Sequence, residues 1–193
     1  MSRINSGLYS SADQTWCTPP DLIQKLLAFE EMDHFHLDAA CSDFNVPATF
    51  YYRKDGLHSR KMQINDKCGL TGDWELTAPF DSSLVWLNPP YGKALQLFIK
   101  KAYEESLKGC RVWALIPART ETVYQHDYGL TQAGFTVFLK GRLHFLQDGE
   151  DKGAAPFPTM LLYYGDDWKE KAERWVKNPP LKGTLMTRME AAS

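Results

Sequence analysis

The most informative residues in the chain are Asn88-Pro89-Pro90-Tyr91. Neither proline carries an N–H, and each ring fixes φ, so the corner is stiff and its carbonyls are left to accept. Asn88 precedes proline and is held extended. Its side-chain oxygen and the Pro89 carbonyl make a pair of acceptors for one amino group. Tyr91 offers an aromatic face, and stacking a base on such a face contributes roughly 1–3 kcal/mol. This set suits an aromatic amine such as the exocyclic amino group of adenine. That nitrogen is a poor nucleophile because its lone pair is delocalised into the ring. Acceptors aimed at its hydrogens favour a tetrahedral nitrogen and stabilise the positive charge that develops during attack. The competing reading is a rigid turn without chemistry. Asn178-Pro179-Pro180-Leu181 serves as an internal control: it lacks the aromatic and follows no apolar strand.

The elements around this corner decide between the readings. Residues 84–87 (LVWL) form a compact apolar run that predicts a buried strand stopping at Asn88. Open α/β sheets place ligands at such strand ends. Residues 111–116, 135–139 and 159–164 predict three further buried strands, and 35–40 a short strand ending in a loop. Helical apolar spacing covers 21–29, 94–107 and 168–176, with Thr18-Pro19-Pro20 as cap and first turn of the first helix. Buried strands alternating with helices predict an α/β fold with a mostly parallel central sheet. The link from 139 to 159 has no helical pattern, which predicts an antiparallel hairpin at one edge. Residues 41–72 are polar and aperiodic, punctuated by Gly56, Gly69 and Gly72. One domain is expected over 14–177, with flexible ends at 1–13 and 178–193.

Composition narrows the function classes. The 193 residues are 44% apolar, enough for a sizeable core. No apolar run reaches the roughly 20 residues that span a bilayer, and the start of the chain lacks a signal-peptide pattern. A cytoplasmic protein without membrane contact is expected. Cys17, Cys41, Cys68 and Cys110 show no Cys-x-x-Cys pair, so packed, reduced thiols are expected. His126 and His144 lack a carboxylate at ligand spacing, so no metal site is expected. The net charge of −2 does not mark a nucleic-acid binder, so any DNA contact must come from a local patch.

Further motifs carry a resemblance. Trp16-Cys17-Thr18-Pro19-Pro20-Asp21-Leu22, followed by FHLDAAC at 35–41, resembles the start of amino-methyltransferases. Gly72-Asp73-Trp74, ahead of Phe80-Asp81, resembles their Gly-Asp-Phe element. In order with Asn88-Pro89-Pro90-Tyr91, these motifs resemble the phage-type DNA N6-adenine methyltransferase family. Ile116-Pro117-Ala118-Arg119-Thr120, Gly141-Arg142-Leu143-His144-Phe145 and Pro156-Phe157-Pro158 extend the likeness over residues 14–165.

The resemblance implies a Rossmann-like class I methyltransferase fold, S-adenosylmethionine as cofactor, and DNA as substrate. The donor is a sulfonium, so alignment matters more than acid–base help. Adenine must leave the duplex, at about a few kcal/mol. Asn88, Pro89, Pro90 and Tyr91 would hold the target adenine. Trp16, Thr18, Pro19, Asp38, Ala39, Ala40, Asp73 and Asn88 would line the cofactor site. Thr18 would meet the methionine carboxylate, Asp38 its amino group, and Asp73 the cofactor adenine. Plain structural roles compete: a helix cap for Thr18, a turn for Asp38, a surface turn for Asp73, a core aromatic for Trp16.

The fit has departures. Cys41-Ser42-Asp43-Phe44-Asn45 follows the first strand without the glycines common there. Asp55 is a further candidate for the cofactor ribose. No target-recognition domain is visible, so loops must read the DNA. Lys93, Arg119, Lys140 and Arg142 follow predicted strands and would form the local basic patch, with His144 and Phe145 at the same mouth. A phage or prophage origin is expected, in protection from restriction or in marking of DNA, with no obligate protein partner. RNA or protein glutamine as acceptor, or a non-catalytic DNA-binding module, are the other readings.

Overall fold

The computed structural model describes residues 17–42, 44–59, 63–65, 67–75, 83–147 and 150–188. Trp16, the expected flexible start at 1–13 and residues 189–193 of the tail expected over 178–193 lie outside them. The chain opens with α1 (Pro20–Glu30), β1 (Phe35–Asp38), β2 (Ala48–Arg53), β3 (Gly56–His58), β4 (Gln63–Asn65) and β5 (Leu84–Leu87). It continues with α2 (Leu95–Ser106), β6 (Arg111–Pro117), β7 (Phe135–Leu139), β8 (His144–Gln147) and β9 (Glu150–Ala154). β10 (Thr159–Tyr164), α3 (Trp168–Lys177) and β11 (Gly183–Thr187) complete it.

These strands build one large sheet in the order β11-β7-β10-β6-β5-β1-β2-β3-β4. β2, β1, β5 and β6 pair in parallel. β10 is antiparallel to both β6 and β7, so β7 runs the same way as the parallel block. The exits of β1, β2, β5, β6 and β7 therefore share one edge, the carboxyl rim. β8 and β9 form a separate antiparallel hairpin. This is the expected α/β architecture of a methyltransferase fold.

Alternating side chains on β6 explain why both faces are covered. Trp113 and Leu115 point to one core, with α1, α3 and the ring of Trp175. Val112, Ala114 and Ile116 point to the other, with Phe98, Ile99 and Ala102 of α2. The four apolar runs expected as strands and the three expected helices are all present, within two residues at their ends.

Three strands occupy the segment that looked aperiodic. β2 alternates poorly, and β3 and β4 are three-residue edge strands. Such edges need no apolar stripe, because backbone pairing alone holds them. The segment expected as a loose tail is also corrected over 183–187. β11 pairs with β7 from Gly183↔Leu139 to Thr187↔Phe135, although its side chains are mostly exposed. It covers β7, so the antiparallel β7–β10 pair lies inside the sheet.

A buried charge cluster ties the two helices of one face to the sheet. The Glu30 carboxylate, at the end of α1, is inaccessible to solvent. It accepts from Trp113 Nε1 at 2.8 Å and from Lys171 Nζ at 2.8 Å. Arg111 approaches it at 3.5 Å. Removing one member leaves the others buried and unpaired, which costs about 3–5 kcal/mol. Glu30→Ala is therefore expected to lower unfolding free energy by about that amount, read as a fall in the urea midpoint. An unchanged midpoint would mean the cluster is solvated.

Candidate active site

β5 is buried at all four residues and delivers Asn88 to the carboxyl rim. The Ala39 N–H donates to Trp86 O at 2.9 Å, which joins the exits of β1 and β5. Beyond the prolines the chain turns back, with the Gly92 N–H on Pro90 O at 2.9 Å. That turn brings the Tyr91 hydroxyl to Asn88 Oδ1, where it donates at 2.8 Å. On the other side of the same carboxamide, Nδ2 donates to Thr18 Oγ1 at 3.1 Å. Asn88 is thus held at both ends.

Thr18 is buried and does not cap α1, because the N-cap position falls on Pro19 and no side chain caps the helix. Its carbonyl accepts from Asn45 Nδ2 at 3.2 Å. Cys17 next to it exchanges two backbone hydrogen bonds with Leu146 of β8, at 3.0 and 3.1 Å. So the Thr-Pro-Pro segment, the loop after β1 and the β8–β9 hairpin all meet at the Asn88 corner.

Tyr91 departs from expectation. Its ring is 6% exposed and offers no open face to a base. Phe157 and Phe145 pack edge-on against it at 5.3 and 6.2 Å. Burial pushes its phenol well above the usual tyrosine range, so the hydroxyl stays a donor. In this conformation Tyr91 orients Asn88 rather than stacking.

A cleft of about 730 Å³ opens beside the corner. Ala39 to Ser42 line it from the β1 exit, Arg53 to Asp55 from the β2 exit, and Asn88 to Pro90 from the β5 exit. Cys68, Gly69, Leu70 and Phe98 close its side. Of the expected cofactor contacts, Ala39, Ala40 and Asn88 line this cleft. Asp38 is buried just before it, and its Oδ1 accepts from the Ala40 N–H at 3.1 Å. That bond shapes the turn, as the structural reading had it. Asp55 joins the wall. Its own backbone N–H holds its carboxyl below the usual range, helped by His58 and Arg53, so it is charged near neutral pH.

Thr18 and Pro19 are not part of the cleft wall, and neither is Asp73. The Asp73 carboxylate lies 3.7 Å from Lys108 Nζ and is half exposed. Its surface position prevails because Gly72 packs against Tyr52, whose hydroxyl donates to the Asp73 carbonyl at 2.9 Å. Sequence reasoning missed Gly69. A Cβ there would lie 1.9 Å from Ala39 O. The close-approach glycine sought after β1 thus arrives from another segment, within the Cys68-Gly69-Leu70-Thr71-Gly72 punctuation.

Lys93, Arg119, Lys140 and Arg142 follow β5, β6 and β7, so all four leave the sheet at the rim that carries Asn88. Lys93, Lys140 and Arg142 are exposed and Arg119 half-buried.

Compared with models of known protein families, residues 5–176 match DNA N-6-adenine-methyltransferase (Dam). The chain belongs to that family. It is an adenine-specific DNA methyltransferase, and its reaction consumes a methyl-donor cofactor. No significant match appears among curated proteins. Among the described residues, no helix is long and apolar enough to cross a membrane, and no group of three or more His, Cys, Asp or Glu is placed to hold a metal.

For an adenine methyltransferase the fixed carboxamide is the notable feature. Thr18→Val removes the acceptor for Asn88 Nδ2 without changing side-chain volume much. Methyl transfer to DNA is expected to slow by between about 10- and 100-fold, the range of a small misplacement of a reacting group. Thr18→Ser should restore most of the rate. An unchanged rate in Thr18→Val would show that Asn88 needs no such anchor.

Proposed function

We propose that this methyltransferase takes its methyl group from S-adenosylmethionine and places it on N6 of an adenine swung out of duplex DNA. The observation that carries the reading is the position of Asn88. Its side chain borders the cleft on one side and the Tyr91–Phe145–Phe157 cluster on the other.

The cleft residues suit that donor. Ala39, Leu70, Pro89 and Phe98 offer apolar walls for a flat base. The charged Asp55 and the Ser42 hydroxyl offer partners for ribose hydroxyls or an amino group. The volume is in the range of cofactor pockets, about 300–1,000 Å³. When bound, the cofactor supplies an electrophilic methyl group on a sulfonium. Ala39 and Ala40 form the floor, with Asp38 shaping the turn below them. Thr18 and Pro19 approach from the start of α1, and the Thr18 hydroxyl accepts from Asn88 while its proton suits a carboxylate.

On the substrate side, Asn88 Oδ1 and the Pro89 carbonyl accept the two amino hydrogens. A carboxamide oxygen has two lone pairs, and the Tyr91 hydroxyl uses one. Acceptance draws the amino nitrogen toward tetrahedral geometry and stabilises its growing charge. Pro90 holds the corner rigid, so no reorganisation is needed at the moment of transfer. Tyr91 keeps the acceptor oxygen turned to the substrate. The base reaches this corner when the aromatic cluster parts, and Tyr91 then gains a free face. Lys93, Arg119, Lys140 and Arg142 hold phosphates around the flipped nucleotide. The reading places the enzyme in the cytoplasm of a bacterium or of a phage-infected cell, where DNA and donor are both present.

Tritium from labelled S-adenosylmethionine is expected to appear in N6-methyladenine after digestion of duplex DNA. Asn88→Ala should reduce that transfer by about 10²–10³-fold, as loss of one preorganised group does elsewhere. Wild-type transfer in that variant would defeat the assigned role. Asp55→Ala is expected to raise KM for the donor while leaving KM for DNA unchanged. The opposite split would move Asp55 out of the donor site.

A further inference from the structure

Several cations on the body of the protein face acids. Arg111 faces Glu30 and Asp167, Lys101 and Lys108 face Glu105, and Arg174 faces Glu31. One corner of the carboxyl rim gathers cations that have no such partner among the described residues. There β11 starts beside the end of β7, and the Lys140 N–H donates to Lys182 O at 2.9 Å. Arg142 follows two residues after Lys140. Lys140, Arg142 and Lys182 are all exposed, and among the described residues none of them has an acidic partner. On the neighbouring hairpin, Asp151 is engaged by His144 at 3.0 Å and by the Gly153 N–H at 2.7 Å.

Neighbouring strands lie about 4.8 Å apart. Sheet pairing therefore roots two lysines at adjacent positions, and like charges so close repel. Duplex DNA removes that cost, because it carries one phosphate charge per about 1.7 Å of axis. β11 also lies beyond residues 5–176, the part that matches the family. Its side chains bury little, so it adds backbone pairing and one cation at the rim rather than core.

We propose that the last strand is part of the DNA-binding surface. β11 holds Lys182 beside Lys140 and Arg142, and this cation triplet grips phosphates of the duplex flanking the target adenine. The site extends the proposed rim contacts of Lys93, Arg119, Lys140 and Arg142, and it rests on that reading. It places the flanking duplex across the exits of β6 and β7 and the start of β11, away from the donor cleft at β1 and β2.

The test is fluorescence anisotropy of an adenine-containing duplex, titrated with the full-length enzyme across a series of KCl concentrations. In Lys182→Gln the slope of log K against log salt should fall in magnitude by about 0.9, and in the double variant with Lys140→Gln by about 1.8. KM for DNA should rise, with the loss appearing there rather than in kcat. Lys182→Arg should keep the wild-type slope, and so should Lys25→Gln, which removes a charge from the middle of α1. A wild-type slope and KM in Lys182→Gln would overturn the proposal. Methyl transfer by the wild-type enzyme separates the two claims. No transfer to adenine defeats the functional reading, whereas full transfer with an unaltered slope in Lys182→Gln defeats only the role of β11.

Discussion

The structure depends on a single carboxamide pinned at both ends. Asn88 gives its N–H to Thr18 and takes an O–H from Tyr91. A lone asparagine at a strand end has a rotatable terminal group, and its oxygen and nitrogen exchange places by a half-turn. The two bonds remove that freedom, because a phenol proton selects oxygen and a threonine oxygen in this pairing selects the amino group. Electrostatic stabilisation of a reacting amine needs such fixed acceptors, since any reorientation during the reaction subtracts from the gain. The segments that meet here are otherwise far apart in sequence: the entry to α1, the exit of β5, and the hairpin that buries the tyrosine ring.

The parallel block makes that meeting possible. Parallel strands put all their exits on one edge, so side chains from β1, β2 and β5 reach a common cleft without long loops. The return from β1 to β2 spans only residues 39–47 and contains no helix. This is shorter than the dozen or so residues a parallel crossover usually takes. Phe44 sits there at φ 61°, a left-handed conformation uncommon for a bulky residue. The Cys41 thiol accepts from its N–H, and its ring packs on Tyr51 at 4.8 Å and under Arg53. The tight path is thus held by aromatic packing where a glycine would otherwise give freedom. Gly69 then supplies the close approach to Ala39 from across the cleft.

Legibility in the sequence followed burial. Leu84 to Leu87 and Thr159 to Tyr164 are strands buried on both faces, and their continuous apolar runs announced them. β3, β4 and β11 are held mainly by backbone pairing, and β2 buries Tyr51 and Tyr52 side by side rather than in alternation, so none leaves a periodic mark in side-chain type. The same division runs through the site. The placement of Asn88 to Pro90 at a strand exit was legible because proline constrains the backbone locally, whatever surrounds it. The packing of Tyr91 was not legible, because its environment is set by Phe145 and Phe157, over fifty residues away in the chain. The exposure of Asp73 was not legible either, because the motif around it seats Gly72 on Tyr52 and Trp74 on Gly69 O. Spacing reveals which residues are candidates, but a contact across the fold decides which way each one faces.

Net charge misleads for a related reason. At −2 the chain as a whole should repel DNA. Yet phosphates respond only to charges within about a Debye length, roughly 8 Å at physiological salt. β6 has seven residues, and at about 3.3 Å each it separates the two edges of the sheet by roughly 20 Å. Asp166, Asp167, Glu31 and Asp33 lie toward the edge opposite Asn88, where Arg111, Lys171 and Arg174 take up part of their charge. At the rim, Lys93, Lys140 and Lys182 face solvent, and among the described residues no acid is paired with them. If DNA docks at that rim, as proposed, the sign at the carboxyl edge governs association, and strand direction, more than composition, sets it.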